Sequence, residues 1–289
     1  MNTLEITKRI MKSNGIFAKK SFGQNFLIDD NILENIVSSS DVKESDLVIE
    51  IGPGLGNLTE YILNTGARVL AFEIDKDMID ILNDRFKGVE NLTIQNIDIL
   101  KANLDEYIKD VKGDVKVIAN LPYYITTPII FRLLEYKEKI KSITVMIQKE
   151  VADRITSEPG SKDYGVLTIN TNYQADVEKL FNVPNTSFIP APNVTSAVIK
   201  IMPSIEKEQE LGIKDSKTFE ELVKKSFSAR RKKLANSLVN TGVYNLSKEE
   251  ITNLILEVGL KDTVRAEEIG IETYAKMANI IYEKIQKQQ

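Results

Sequence analysis

The chain contains no cysteine and no histidine. The first absence excludes disulfides, thiolate nucleophiles and zinc–thiolate sites. The second removes the commonest general base and the commonest transition-metal ligand. Nor does any stretch approach the roughly 18 consecutive apolar residues of a membrane span. The opening residues, MNTLEITKRIMKSNGIF, carry neither an apolar signal core nor a small-residue cleavage site, so a cytoplasmic protein is expected. Chemistry in such a chain must run on carboxylates, amides, hydroxyls, backbone groups or a bound cofactor, and no metal is expected.

What is present fits an ordinary globular chain of 289 residues, with room for a large catalytic domain and a smaller second one. The net charge of -4 argues only weakly against a polyanion partner, because the cations are unevenly spread. Lys224, Lys225, Arg230, Arg231, Lys232 and Lys233 fall in one ten-residue stretch that holds no acid. Lys8, Arg9, Lys12, Lys19 and Lys20 cluster near the N-terminus. Taken alone, both clusters are as readily solvated faces as a polyanion surface.

Short β-branched runs alternate with helical patterns. Leu47–Ile51, Arg68–Glu73, Leu92–Gln95, Val115–Ala119 and Ile143–Ile147 read as strands. Asn57 is expected to cap a helix, with Glu60 completing a capping box. Asp75 caps the next, whose apolar face carries Met78, Ile79, Leu82 and Phe86. Thr126 or Thr127, with Pro128 in the first turn, starts another helix, and Lys149 a further one. This alternation predicts a mostly parallel sheet with helices on both faces. Beyond residue 165, Val166–Tyr173 and Val194–Met202 read as two strands forming an antiparallel edge pair. From Ser216 onward the pattern is helical, with a second capping box at Ser247 and Glu250. The last helix carries Tyr274, Met277, Ala278, Ile281 and Ile285 on one stripe. Ser204–Ser216 is polar and lacks periodicity, which places the domain boundary there: 29–204 for the sheet domain, 205–289 for a small all-α domain, and 1–28 as a separate N-terminal segment.

The segment VIEIGPGLGNLTE runs from the first strand through Gly52-Pro53-Gly54-Leu55-Gly56 into a helix. In a doubly wound sheet this turn is where a nucleotide-like ligand sits, and glycines permit close backbone approach. The spacing is GxGxG, not the GxGxxG of dinucleotide binders, and Glu50 precedes the first glycine by two. Glu73, at the end of the second strand, is placed to accept from both ribose hydroxyls. Asp98, just past the third, is placed to accept from an adenine amine. Two strand-end acids and this turn suit a ligand with adenosine but no pyrophosphate, which S-adenosylmethionine is.

Asn120-Leu121-Pro122-Tyr123 follows the fourth strand directly. The exocyclic amine of adenine is a poor nucleophile, because its lone pair is delocalised into the ring. The Asn120 side-chain oxygen and a backbone carbonyl, that of Leu121, supply acceptors for the amine hydrogens and favour the pyramidal nitrogen of the transition state. Pro122 stiffens the turn. Tyr123 offers a flat face to an extruded base, and Phe188 a second face opposite.

At this point the chain resembles the ribosomal RNA adenine dimethyltransferases over nearly its whole length. The matching segments are Lys20-Ser21-Phe22-Gly23-Gln24-Asn25-Phe26-Leu27, Ile51 to Gly56 with Leu58-Thr59, Asn120 to Pro128, Gln148 to Val151, Tyr164-Gly165, and Phe188 to Val198. The resemblance implies a Rossmann-like class I methyltransferase fold: a mostly parallel seven-stranded sheet with an antiparallel edge pair, plus the small all-α C-terminal domain. It implies that Asn25, Leu27, Gly52, Gly54, Glu73, Asp98 and Asn120 contact S-adenosylmethionine, that residues 1–28 close over it, and that Asn120, Leu121, Pro122, Tyr123 and Phe188 position the adenine. Leu121, the stretch Arg230 to Leu234 and Arg265-Ala266-Glu267 resemble the branch that dimethylates two adjacent adenosines in a hairpin near the 3′ end of 16S RNA in the small subunit, acting as a monomer. The basic stretch from Lys224 to Lys233 then reads as an RNA-phosphate surface. Two alternatives stay open: a large-subunit (23S) adenine methyltransferase conferring macrolide resistance, and a non-enzymatic small-subunit assembly factor.

Overall fold

A computed structural model describes residues 2–16 and 24–288. Lys19, Lys20 and the motif residues Ser21-Phe22-Gly23 lie outside the described residues. The chain divides into two compact units, Met1–Ala152 with Val177–Pro203, and Asp153–Asp176 with Ser204–Gln289. The second unit therefore includes residues 153–176, which the sequence reading assigned to the sheet domain.

In the first unit, helix α1 (Thr3–Ser13) starts at Asn2, whose side chain accepts from the Glu5 N–H. Strand β1 (Phe26–Leu27) leads into α2 (Asp30–Ser39), capped by Asp29. There follow β2 (Leu47–Ile51), α3 (Asn57–Leu63), β3 (Arg68–Phe72), α4 (Lys76–Arg85), β4 (Leu92–Gln95), the short α5 (Asp105–Ile108), β5 (Val115–Asn120), α6 (Thr126–Leu134), β6 (Ile140–Gln148) and α7 (Lys149–Ile155). After α7 come β7 (Ala175–Val183), β8 (Phe188–Ile189) and β9 (Ser196–Pro203). Seven strands form one sheet in the order β4-β3-β2-β5-β6-β9-β7, while β1 and β8 make a separate antiparallel pair. The four pairings from β4 to β6 are parallel, and β9 joins antiparallel to β6. Every side chain of β2 is buried, as expected of a central strand covered by helices on both faces. Strand order reverses beside β2, and the crevice at the carboxyl ends of β2 and β5 is where such sheets bind ligands.

Two local expectations are corrected. Asn57 does not cap α3. The cap is Gly56, in a left-handed conformation at φ 81°, and no side chain caps the helix. The Asn57 carboxamide instead donates to the Thr7 hydroxyl and the Leu27 carbonyl, both at 2.8 Å, and accepts from Arg85. Glu60 pairs with Arg85 instead of reaching back to the cap. The turn can spare a side-chain cap because α4 closes directly on it: a Cβ on Gly56 would lie 2.5 Å from the Phe86 ring.

The second correction concerns Val166–Tyr173, which is a helix, α8 (Val166–Asn172), in the second unit. Its β-branched residues favour a strand by propensity, but tertiary contacts override that weak preference. Thr168 accepts from the Gly165 N–H and donates to the Arg154 carbonyl, while Ile169 and Tyr173, four apart, enter the apolar core with Phe219 and Leu222. The edge strand is β7, which the sequence reading missed because its side chains are half exposed and mixed. The second unit continues with α9 (Glu206–Glu210), α10 (Ser216–Ser226), α11 (Leu234–Asn240), α12 (Lys248–Glu257) and α13 (Ile271–Gln288). The Ser247–Glu250 capping box is present, and Tyr274, Met277, Ala278 and Ile281 are buried along α13.

Candidate active site

The carboxyl ends of β2, β3 and β5, the segment after β4 and the strand β1 open on a single pocket. Its floor is the glycine turn. Gly52 and Gly54 sit at φ 65° and 56°, in the left-handed region that side chains rarely adopt. A Cβ on Gly52 would meet nothing within 4 Å, so this backbone faces open space.

Glu73 follows β3 and is buried. One carboxylate oxygen accepts from the Gly54 N–H at 3.1 Å; the other accepts from the N–H groups of Ile74 and Asp75 at 2.8 and 2.9 Å. Burial pushes its carboxyl upward in pKa, and the three backbone donors pull the other way. The glycine turn and the strand-end acid are thus one hydrogen-bonded piece. Asp98, past β4, accepts from the Leu100 N–H at 3.0 Å. Ile74 is 43% exposed at the pocket wall, an apolar surface suited to a flat ring.

Across the pocket, Asn120 ends β5 and donates to the Asn25 carbonyl at 3.2 Å. The Leu121 N–H donates to Met146, holding the turn to β6. The Pro122 carbonyl accepts from the Ile125 N–H and the Thr126 hydroxyl. The Tyr123 hydroxyl lies 2.7 Å from that of Ser196, and burial raises its pKa, so it stays protonated at neutral pH.

Asn25, Leu27, Gly52, Gly54, Glu73, Asp98, Asn120, Leu121, Pro122 and Tyr123 all line this pocket. Phe188 does not. It pairs with Leu27 in the β1–β8 ladder and is 3% exposed, packed among Leu33, Ile36 and Val198. The expected second aromatic face is therefore corrected: in this structure the ring is buried by the side chains of Leu33, Ile36 and Val198 and does not line the pocket. Asn57, which the sequence marks only as a helix cap, ties the turn to β1 and α1, and Ile74 is marked only by standing next to the strand-end acid.

Glu50 is the site's least satisfied group. Its carboxyl is 1% exposed, one oxygen has no hydrogen-bond partner among the described residues, and burial pushes its pKa up to about 8, with Glu73 acting in the same direction and Arg85 opposing. Near neutrality the folded state holds a proton that the unfolded state has lost. Raising the pH from about 4.5 to about 8 therefore favours unfolding, by up to about 1.4 kcal/mol per pH unit from this group. Glu50→Gln is expected to flatten that slope and to be the more stable protein above about pH 6, measured by urea unfolding from pH 5 to 8. Parallel pH curves for the two proteins would mean that Glu50 is already ionised.

The basic stretch divides. Lys224, Arg231 and Lys232 are exposed, with no ion pair among the described residues. Lys225 pairs with Glu221 and lies over the Tyr244 ring; Lys233 lies 3.5 Å from Asp262. Arg230 donates to the carbonyls of Lys162 and Tyr164, both at 2.7 Å, as an internal tie. On α1, Lys8, Arg9 and Lys12 are exposed. Among the described residues no cluster of three or more acids has metal-binding geometry, and no helix is long and apolar enough to cross a membrane.

Comparison with known proteins bears on this site. The family model described as ribosomal RNA adenine dimethylase matches residues 16–283. The chain is 46% identical to the ribosomal RNA small subunit methyltransferase A of Lachnoclostridium phytofermentans, over 98% of this chain and 97% of that one. It is 43% identical to the protein of the same description from Bacillus cytotoxicus, over 95% of each chain. Among solved structures, a dimethyladenosine transferase from Plasmodium falciparum superposes with a TM-score of 0.76 at 27% identity, covering 90% of this chain and 98% of that one.

Proposed function

This chain belongs to the ribosomal RNA adenine dimethylase family, and we infer that it methylates the N6 amine of adenosine in small-subunit ribosomal RNA, with S-adenosylmethionine as donor. The observation that carries this reading is that Asn120-Leu121-Pro122-Tyr123 opens on the same pocket as the glycine turn, Glu73 and Asp98. The residues present fit the donor. Open space at Gly52 admits a ligand against the backbone, Glu73 suits ribose hydroxyls, Asp98 suits an adenine amine, and the unpartnered Glu50 oxygen leaves a hydrogen-bond position unfilled beside the glycine turn.

When bound, the donor supplies a methyl group on a sulfonium, with a neutral thioether as leaving group. The protein's own task is to hold the adenine. The Asn120 side-chain nitrogen is committed to the Asn25 carbonyl, which leaves its oxygen to accept one amine hydrogen. The Leu121 carbonyl accepts the other. Together they favour the pyramidal nitrogen whose lone pair attacks, a stabilisation gained only in the transition state. The Tyr123 ring, held by Ser196, gives the base a fixed stacking face. The amine proton leaves to water, so a chain without histidine is sufficient.

The full reading is transfer of two methyls to each of two adjacent adenosines in a hairpin near the 3′ end of 16S RNA, linked to subunit maturation, by a cytoplasmic monomer without a metal. The helical second unit docks the particle, and residues 1–28 close over the donor. The test is methyl transfer from labelled S-adenosylmethionine to undermethylated small subunits and to protein-free large-subunit RNA. N6,N6-dimethyladenosine from the small subunit alone is expected. Label only in large-subunit RNA would move the protein to the other branch, and no label anywhere would overturn the reading.

Of the basic stretch, Lys224, Arg231 and Lys232 are free to meet phosphates. Replacing all three with alanine is expected to reduce the slope of log affinity against log salt by about 2 to 3, with kcat at saturating particle retained. An unchanged slope would assign RNA contact elsewhere.

A further inference from the structure

Four aromatic side chains line the pocket: Phe26, Phe72, Tyr123 and Tyr124. Three are committed to the protein. Phe26 and Phe72 are buried, Phe72 standing edge-on to Tyr107 at 5.5 Å, and the Tyr123 hydroxyl is held by Ser196. Tyr124 is 56% exposed, and among the described residues nothing bonds to it or packs ring to ring against it. The backbone that carries it is nonetheless fixed. Residues Tyr123–Ile125 form one 3-10 turn running straight into α6, pinned by the two bonds to the Pro122 carbonyl. A single exposed tyrosine on an open surface needs no explanation. This one stands on a rigid turn at the mouth of the pocket to which the proposed function assigns the target base.

We propose that Tyr124 stacks on the base of the nucleotide next to the target adenosine, so that two neighbouring adenosines are held by two consecutive tyrosines, one inside the pocket and one at its mouth. This rests on the function proposed above. Taking a base out of its stack exposes the face of its neighbour, and an aromatic side chain replaces the lost stacking whatever that neighbour is. In a 3-10 turn successive side chains point about 120° apart. Tyr123 and Tyr124 therefore present their rings in different directions, as two splayed bases require and two stacked bases do not. With Phe188 in the core, Tyr124 is also the pocket's solvent-facing ring.

The test is steady-state transfer to small subunits by the full chain and its Tyr124→Leu, Tyr124→Phe and Tyr124→Trp variants. Leucine is expected to raise KM for the particle about tenfold, with kcat and donor affinity unchanged. Phenylalanine and tryptophan are expected to restore KM, since the ring and not the hydroxyl makes the contact. Subunits reconstituted with an abasic site beside the target distinguish stacking from a general effect. The abasic site should weaken the wild type by a similar factor and leave Tyr124→Leu no weaker than it already was. Wild-type KM in the leucine variant, an additive loss from the two changes, or weakened donor binding would each overturn the proposal. Failure of the wild type to methylate any RNA would instead overturn the functional reading itself.

Discussion

Asn120→Ala is expected to lower kcat by about 10²- to 10³-fold while the protein stays folded and still binds its methyl donor. The magnitude follows from removing one preorganised acceptor aimed at a nitrogen whose geometry changes only in the transition state. The structural cost is small. The variant loses one hydrogen bond, to the Asn25 carbonyl at 3.2 Å, worth about 1 kcal/mol, at a half-buried position where water can replace it. Asn120→Asp sharpens the test, because aspartate keeps an acceptor yet cannot donate to Asn25, so the side chain loses the bond that aims it. Single-turnover transfer under saturating donor, alongside a thermal melt, separates chemistry from folding. A stable Asn120→Ala protein with wild-type turnover would remove Asn120 from the reaction.

Glu73→Ala is expected to weaken donor binding by about a hundredfold or more. Two ribose hydroxyls donating to a carboxylate form charge-assisted bonds, each worth about 1.5–3 kcal/mol. The substitution reaches further than those contacts. The N–H groups of Gly54, Ile74 and Asp75 lose their acceptor together, so the glycine turn is untied from the end of β3. Relief of the buried charge offsets part of this, since burial already raises the Glu73 pKa. The net stability loss should be about 1–3 kcal/mol. Glu73→Gln does not rescue binding, because its amide N–H₂ would confront backbone donors. Calorimetric titration of the donor, with urea unfolding in its absence, reads the two effects apart. Binding within threefold of wild type in both variants would assign the ribose to another residue.

The glycine turn, the two strand-end acids and NLPY were legible because each depends on a short continuous segment. A strand that ends in glycine, or in an acid, presents that group at the sheet's carboxyl edge wherever the strand pairs. The parallel sheet was legible for the same reason, from local periodicity repeated along the chain. Asn25 and Leu27 needed family resemblance, because nothing in their immediate surroundings marks a residue some 95 positions from Asn120 as its hydrogen-bond partner. Phe188 shows the converse limit. Its motif pointed to the adenine, but the ring is covered by Leu33 and Ile36, more than 150 residues earlier in the chain, and nothing in the motif marks that burial. The helix at Val166–Asn172 was misread because its propensity favours a strand while the packing of Ile169 and Tyr173 demands a helix.

The sequence by itself determined the reaction's raw materials: no thiol, no imidazole, a glycine turn framed by acids, and an amide followed by leucine, proline and tyrosine. Those are properties of residue type and of neighbours along the chain. Only the tertiary structure decided which cations remain exposed without an ion pair among the described residues, which aromatic ring faces water, and which buried carboxyl keeps an unpaired oxygen. Each of those depends on what else is nearby, and burial, pairing and exposure are set by residues distant in the chain that folding brings together.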